Sequence, residues 1–188
     1  MATATSRTRQ LYPLSPNKVI KKTLNGAIGW FIVMIFFNVA VSIVFTATGN
    51  WQATMTLTGM FSFLLFCIIV FLNYLYQKWY FDFYFYDLTP DYIVIRKGPI
   101  TPREITIPYE RIQDVYVDQD IFDRMFGLYD VHLSSATISS GMEAHIDGVE
   151  KPAADGLRAV LLQTVSARIS KSRGQSVAQG VPAQSSPV

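Results

Sequence analysis

Apolar residues along this chain form two long runs, followed by short segments in which apolar and polar residues alternate. Residues 26–48 and residues 55–76 are each apolar over about 20 residues, the length that a helix needs to cross a bilayer. The run "GNWQAT" between them offers a glycine and polar groups, enough for a tight turn. Because hydrocarbon does not tolerate unpaired backbone groups, the pattern predicts a transmembrane helical hairpin over residues 24–78.

After the hairpin, the composition is typical of β-structure. The run "YFDFYFYDLTPDYIVIRKG" is rich in aromatic and β-branched residues and predicts two strands joined at "DLTPD", and "EITIP" predicts a third. Pro108 cannot donate to a sheet ladder, so a bend is expected at "PYER". The run "DIFDRMFG" predicts one helical turn that Gly127 ends, and "LYDVHLSSA" predicts a further strand.

The remaining residues predict a loop, a helix and a tail. The run "TISSGMEAHIDGVE" is interpreted as a loop, and an apolar stripe predicts a helix over residues 152–169 that begins at Pro152. Residues 170–188 are rich in Ser, Gln, Gly and Pro and are expected to be disordered. The expected core of the domain consists of Ile105, Ile107, Val115, Val117, Phe126, Val131, Leu133, Leu157 and Leu161.

These elements describe a small α+β domain over residues 79–169, a partly open antiparallel β-barrel closed by a C-terminal helix. The order of a hairpin, "IPYERIQDV", "RMFGLYDVHL", "IDGV" and a final helix resembles the membrane-anchored bacterial pleckstrin-homology (PH) domain proteins of the YdbS-like group. The resemblance covers roughly residues 20–169 and implies a PH-like barrel. It implies no activity, because a fold does not fix a function.

The charges divide the chain into three regions. The first 80 residues hold six basic groups and no acid, whereas residues 82–155 hold fourteen acids against six basic groups, a net charge of −8. Lysines flank the hairpin on both sides, at Lys18, Lys21, Lys22 and Lys78, and the turn inside it is uncharged. The positive-inside rule therefore predicts a multi-pass protein of the cell membrane with residues 1–23 and the C-terminal part in the cytoplasm.

Two features of the apolar runs have alternative interpretations. The first run could be a secretory signal peptide with "TAT" at its cleavage site, but its apolar core is longer than the usual 7 to 15 residues. Asn38 is the polar group expected deep in the bilayer, where its amide could hydrogen-bond the partner helix. The single cysteine, Cys67, allows no internal disulfide and is interpreted as a small apolar residue of the second span.

The candidate chemistry does not favour an enzyme. Asp114, Asp118, Asp120 and Asp123 suggest a cation site, yet "DVDQDIFD" lacks the glycine and terminal glutamate of a calcium loop, so a solvated acidic surface is favoured. His132 and His145 have no zinc-type spacing and are interpreted as ordinary histidines. No serine lies in a nucleophile elbow and no glycine loop binds phosphate. No cofactor is expected.

Two kinds of partner remain. Residues 81–169 carry a net charge of −6, which disfavours nucleic acid and anionic membrane surfaces. The sequence therefore predicts a non-enzymatic scaffold or protein-interaction module that self-associates as a homo-oligomer or binds another membrane protein. The alternative is recognition of anionic lipid headgroups by the loop that carries Arg96, Lys97 and Arg103.

Overall fold

The chain forms two compact units in the computed structural model, which describes residues 6–45, 51–135 and 144–179. The hairpin unit comprises Pro16–Phe83, and the sheet unit comprises Met1–Ser15 together with Tyr84–Val188. The sequence predicts residues 1–23 to be a separate N-terminal segment. In the structure, residues 6–15 instead belong to the sheet unit.

The hairpin unit consists of two long helices, α2 (Asn17–Phe45) and α3 (Trp51–Phe83). The short helix α1 (Arg7–Leu11) precedes them and belongs to the sheet unit. Both α2 and α3 are long and apolar enough to cross a membrane. They approach closely at Gly26, where an added Cβ would lie 2.3 Å from the Asn73 amide nitrogen. Residues 46–50, which include the "TAT" sequence, lie outside the described residues.

The helix α3 extends further than the sequence predicts. Residues 77–83 continue it, because "QKWYFDF" holds neither glycine nor proline and adding a residue to an existing helix costs little. The strand expected from residue 80 therefore begins only at Phe85. At the other end of the chain, the last helix runs to Gln179 rather than ending at residue 169. Residues 170–179 of the expected disordered tail are therefore helical, and residues 180–188 lie outside the described residues.

The sheet unit holds two antiparallel sheets of three strands, each in chain order. The first sheet contains β1 (Phe85–Leu88), β2 (Tyr92–Lys97) and β3 (Arg103–Pro108); the second contains β4 (Ile112–Asp118), β5 (Leu128–Ser135) and β6 (Ala144–Glu150). The helix α4 (Ile121–Phe126) joins β4 to β5, and α5 (Lys151–Gln179) follows β6. The barrel is not closed, since no strand pair joins the two sheets among the described residues.

The predicted bend at Pro108 is the passage from one sheet to the other. A 3-10 turn at Tyr109–Arg111 separates β3 from β4, and the pairing register shifts between Ile112 and Asp114. This irregularity brings both Ile112 and Val115 to the buried face, although they lie three residues apart. It explains why the alternation of apolar residues changes phase at this point.

The strand β6 (Ala144–Glu150) is not predicted from the sequence. It occupies the second half of the segment interpreted as a loop, and residues 136–143 lie outside the described residues. Its alternation is broken where the register with β5 shifts between Tyr129 and Val131. Gly148 adopts a φ of 78° there, and its N–H donates to Asp130 Oδ1 over 2.7 Å. A bulge of this kind interrupts the alternation of apolar and polar residues by which a strand is predicted from sequence.

The core lies between the two sheets and α5. Its largest fully buried side chains include three tyrosines that are not among the expected core residues, Tyr84, Tyr86 and Tyr109. Of the expected core residues, the structure buries Ile107, Val115, Val131, Leu133, Leu157 and Leu161. Ile105, Val117 and Phe126 are half-buried.

Candidate interaction surfaces of the sheet unit

Residues 6–15 form a strap that covers the outer edge of β1. Alternation in an antiparallel ladder points the backbone groups of Tyr86 and Leu88 away from β2. The Ser6 hydroxyl donates to the Tyr86 carbonyl, and the Leu88 N–H donates to Thr8 Oγ1 over 3.0 Å. Side-chain hydroxyls of the strap therefore satisfy the groups that an unpaired edge strand would expose.

Asp87 holds the strap against β1 through its carboxylate. Thr8 Oγ1 donates to Asp87 Oδ1 over 2.7 Å, and the Ser6 hydroxyl lies 2.9 Å from the same oxygen. Partial burial alone would raise the pKa of Asp87, but the hydrogen bonds from Thr8 and Ser6 outweigh it, so this pKa is lowered from its ordinary value. Asp87 therefore accepts these bonds as a carboxylate at neutral pH.

The other end of the strap covers the outer edge of β6. Leu14 makes an antiparallel bridge with Val149, and the Ser15 N–H donates to the Gly148 carbonyl over 2.9 Å. The Ser15 hydroxyl donates to Glu150 Oε1 over 3.2 Å. The strap thus spans both sheets and covers one outer edge of each.

The middle of the strap rests on the core and on α5. The hydroxyl of Tyr86 donates to the Tyr12 carbonyl, and burial raises the pKa of this hydroxyl, which stays protonated. The ring of Tyr12 lies over Gly156 of α5, where an added Cβ would come within 2.3 Å of Tyr12 Cε1. Glycine at this helical position leaves the space that the tyrosine ring occupies.

Two outer edges, those of β3 and β4, are paired with no strand among the described residues, and the β3 edge is the more regular of the two. The Tyr109 N–H donates to the Asp91 carbonyl over 3.3 Å, which fixes the alternation of bonded pairs between β2 and β3. It follows that the backbone N–H and C=O groups of Glu104 and Thr106 point away from β2. Pro108 has no N–H to offer and ends this edge.

The three basic residues of the predicted headgroup loop are not equivalent. Arg96 Nη2 lies 2.7 Å from Glu104 Oε2, its partner across the strand pair. Lys97 Nζ lies 3.3 Å from Asp147 Oδ1, with both side chains largely covered. Arg103 is exposed. Two of the three cations thus already face carboxylates of the same unit, which lowers their attraction for a phosphate.

The acidic residues of the expected cation site are dispersed. The strand β4 ends at Asp118, and Asp120 is the N-cap of α4, where its carboxylate accepts from the Asp123 N–H over 2.6 Å. Asp114 accepts from the neighbouring Val115 N–H. Within the described ranges, no group of three or more His, Cys, Asp or Glu side chains could hold a metal ion.

The two histidines lie side by side, contrary to their separation in the sequence. Tyr116, His132 and His145 form a stacked row across β4, β5 and β6, with ring centroids 4.9 and 5.4 Å apart. The His132 side chain is only 14% exposed, and its Nε2 lies 3.5 Å from Asp118 Oδ1. The polar face of β5 is therefore covered more than a freely solvated strand face would be.

Asn38 contacts the partner helix within the hairpin unit. Its Nδ2 lies 3.1 Å from Ser62 Oγ on α3 and 2.9 Å from the Met34 carbonyl on its own helix. Ser62 is buried, although it is a polar residue of an apolar helix. The pair satisfies two polar groups that would otherwise face an apolar environment.

Comparisons with known proteins agree with this architecture. A family model described as "Bacterial PH domain" matches residues 26–165, well over half of the chain. A comparison with curated proteins and one with solved structures found no match. The family match extends from α2 into α5, so it includes most of the hairpin and both sheets. The finer YdbS-like grouping stays a prediction, whereas the chain belongs to the bacterial PH domain family.

Proposed function

We propose that this chain is a non-enzymatic integral protein of the cell membrane, in which the hairpin anchors a cytoplasmic PH-like protein-interaction module. Large apolar side chains of both long helices are exposed, among them Phe36 (70%) and Leu57 (69%). Exposed apolar surface of this extent is stable in a bilayer and is a liability in water.

The proposed orientation places both termini in the cytoplasm. Its support is the lysine pattern, since Lys18, Lys21 and Lys22 precede the first span and Lys78 follows the core of the second. In intact cells, a single cysteine at position 185 in a Cys67→Ser background should resist labelling by a membrane-impermeant maleimide and react once the membrane is opened. Labelling of Ser185→Cys from outside intact cells would contradict the orientation.

The outer edge of β3 is the proposed binding site for a protein partner. The strap covers the β1 and β6 edges, whereas the β3 and β4 edges have no strand partner in the described residues; β3 is proposed because its pairing with β2 is regular and directs donors and acceptors outward. An extended peptide could add to this edge by main-chain hydrogen bonds to Glu104 and Thr106, which is β-augmentation. This asymmetry between protected and unprotected edges is the observation that carries the proposal.

Removing one outward donor should weaken capture of the partner. Thr106→Pro deletes the N–H that points away from β2, whereas Thr106→Val keeps it and changes only an exposed side chain. Photo-crosslinking in cell membranes followed by mass spectrometry should show the partner adduct reduced at least about fivefold by Thr106→Pro and unchanged by Thr106→Val, since one net hydrogen bond is worth about 1 kcal/mol.

Two checks make this result interpretable. Thermal unfolding of each variant verifies that the substitution leaves the domain folded, and Thr106→Lys, which adds an edge charge without deleting the donor, should also reduce the adduct. A chain that gives no protein adduct at all, or an adduct indifferent to all three substitutions, would contradict binding at β3.

Lipid headgroup recognition is the competing function, and we expect it to be absent. The protein for this test joins residues 6–15 to residues 84–179 through a Gly/Ser linker of about 20 residues, because the strap belongs to the sheet unit. It should show negligible binding to vesicles rich in anionic phospholipid, since Arg96 and Lys97 already face Glu104 and Asp147. Micromolar binding that weakens with salt and with Arg103→Ala would make lipid recognition the leading function.

A further inference from the structure

The helix α4 exposes two large apolar side chains to solvent. Ile121 is 80% exposed and Met125 is 69% exposed, and their spacing of four residues places them on one face of the helix. A capping box between Asp120 and Asp123 fixes the first turn, and Gly127 ends the helix with a φ of 66°. Ile121 and Met125 are therefore exposed on a helix whose two ends are both capped.

The surroundings of this apolar pair are acidic. Residues 118–127 hold three aspartates and one arginine, Arg124, and so carry a net charge of −2. The Asp118 side chain, at the end of the preceding strand, is 59% exposed. An anionic membrane surface is repelled by such a flank, whereas a partner with an apolar side chain next to a cation is attracted.

The strap carries a surface with the complementary composition. Residues 6–15 hold two arginines and no acid, a net charge of +2. Arg7 and Leu11 lie four residues apart on α1; Arg7 is exposed and Leu11 is 69% exposed. Because Leu11 and Ile121 are both exposed within the same sheet unit, α1 and α4 do not cover each other in one chain.

We propose that α4 is the docking site for α1 of a second copy of this chain. Leu11 of one copy packs against Ile121 and Met125 of the next, and Arg7 faces Asp118. The two surfaces differ, so the contact is heterologous and each copy offers one of each, which generates rings or rows rather than closed two-fold dimers.

The size of this contact fits a protein that is confined to a membrane. Two helices of five and six residues bury far less than the roughly 1,200 Å² that separates weak from stable soluble complexes. Anchoring in one bilayer raises the effective concentration of the copies and favours such weak contacts. The inference rests on the membrane anchorage of the proposed function, but it uses surfaces other than the β3 edge.

Disulfide crosslinking in membranes tests the contact with the full chain. Cells express two differently tagged copies in a Cys67→Ser background, one carrying Leu11→Cys and the other carrying Met125→Cys. Mild oxidation should give the mixed dimer at least about fivefold above the dimer of either variant alone, and copies that carry both cysteines should give a ladder of larger species. Equal crosslinking of either variant with itself, or an adduct with a different protein, would overturn the proposal.

Charge reversal supplies an independent outcome. Asp118→Arg in the copy that carries Met125→Cys should lower the mixed dimer about three- to tenfold, and Arg7→Asp in the other copy should restore it, because an exposed pair is worth less than about 1 kcal/mol and each reversal turns attraction into repulsion. Failure of the restoration overturns the proposal. Thr106→Pro at the β3 edge should leave the mixed dimer unchanged, so loss of β3 binding and loss of this contact are distinguishable.

Discussion

Removing the strap should cost the sheet unit most of its stability. The comparison is between residues 84–179 alone and the same residues joined to residues 6–15 through the Gly/Ser linker. Without the strap, the Tyr86 hydroxyl and the Leu88 N–H lose their partners, at about 1–3 kcal/mol for each group that remains buried. The apolar contact of Leu14, which is 5% exposed, is lost as well, at about 1.5–3 kcal/mol.

These losses are comparable with the total stability of a small domain, about 5–15 kcal/mol. Thermal unfolding followed by circular dichroism should therefore show a cooperative transition for the protein with the strap, and a transition lowered by tens of degrees or absent without it. The matched control keeps the strap and replaces two exposed residues, Arg7→Ala and Gln10→Ala, which should leave the transition within a few degrees. Equal transitions with and without residues 6–15 would contradict a structural role of the strap.

The position of the strap could not be predicted from the sequence because its contacts join distant segments. Thr8 and Asp87 are 79 residues apart, and Ser15 and Glu150 are 135 residues apart, with the entire hairpin between Ser15 and Tyr84. Local periodicity reports only neighbours within a few residues. The one local signal is the apolar run "LYPL" in an otherwise polar N-terminal segment, and this run is too short to predict a span or a strand.

The elements that the sequence predicted correctly are those whose signal is local. The hairpin follows from run length, the bend follows from Pro108, and the end of α4 follows from Gly127, whose φ of 66° suits a residue without Cβ. The strand β6 was missed because the bulge beside Gly148 breaks its alternation.

The candidate headgroup loop illustrates the same distinction for a site. The sequence shows three cations in this loop but not which carboxylates they face. In the structure, Arg96 and Glu104 are directly opposed across β2 and β3. The partner of Lys97 is Asp147, which lies 50 residues further along and in the second sheet. A net charge predicts long-range attraction or repulsion, whereas the availability of a cation depends on such pairings.

Gly156→Ala should change the stability of the sheet unit in opposite directions depending on residue 12. In the natural sequence, the new Cβ would lie 2.3 Å from Tyr12 Cε1, and overpacking of this kind costs about 1–3 kcal/mol. Alanine also favours the interior of α5 over glycine by about 1 kcal/mol, so we expect a net destabilisation of up to about 2 kcal/mol. Urea unfolding of the linker-joined protein measures it.

With Tyr12→Ala, the ring is absent and only the helical preference remains. In that background Gly156→Ala should stabilise the protein by about 1 kcal/mol, which gives a coupling energy between positions 12 and 156 of about 1–3 kcal/mol. Gly156→Ala that stabilises the protein equally in both backgrounds would mean that Tyr12 does not lie over α5. A reversal of sign would instead place the strap against α5 in solution, because the three nearest heavy atoms to an added Cβ at residue 156 all belong to the ring of Tyr12.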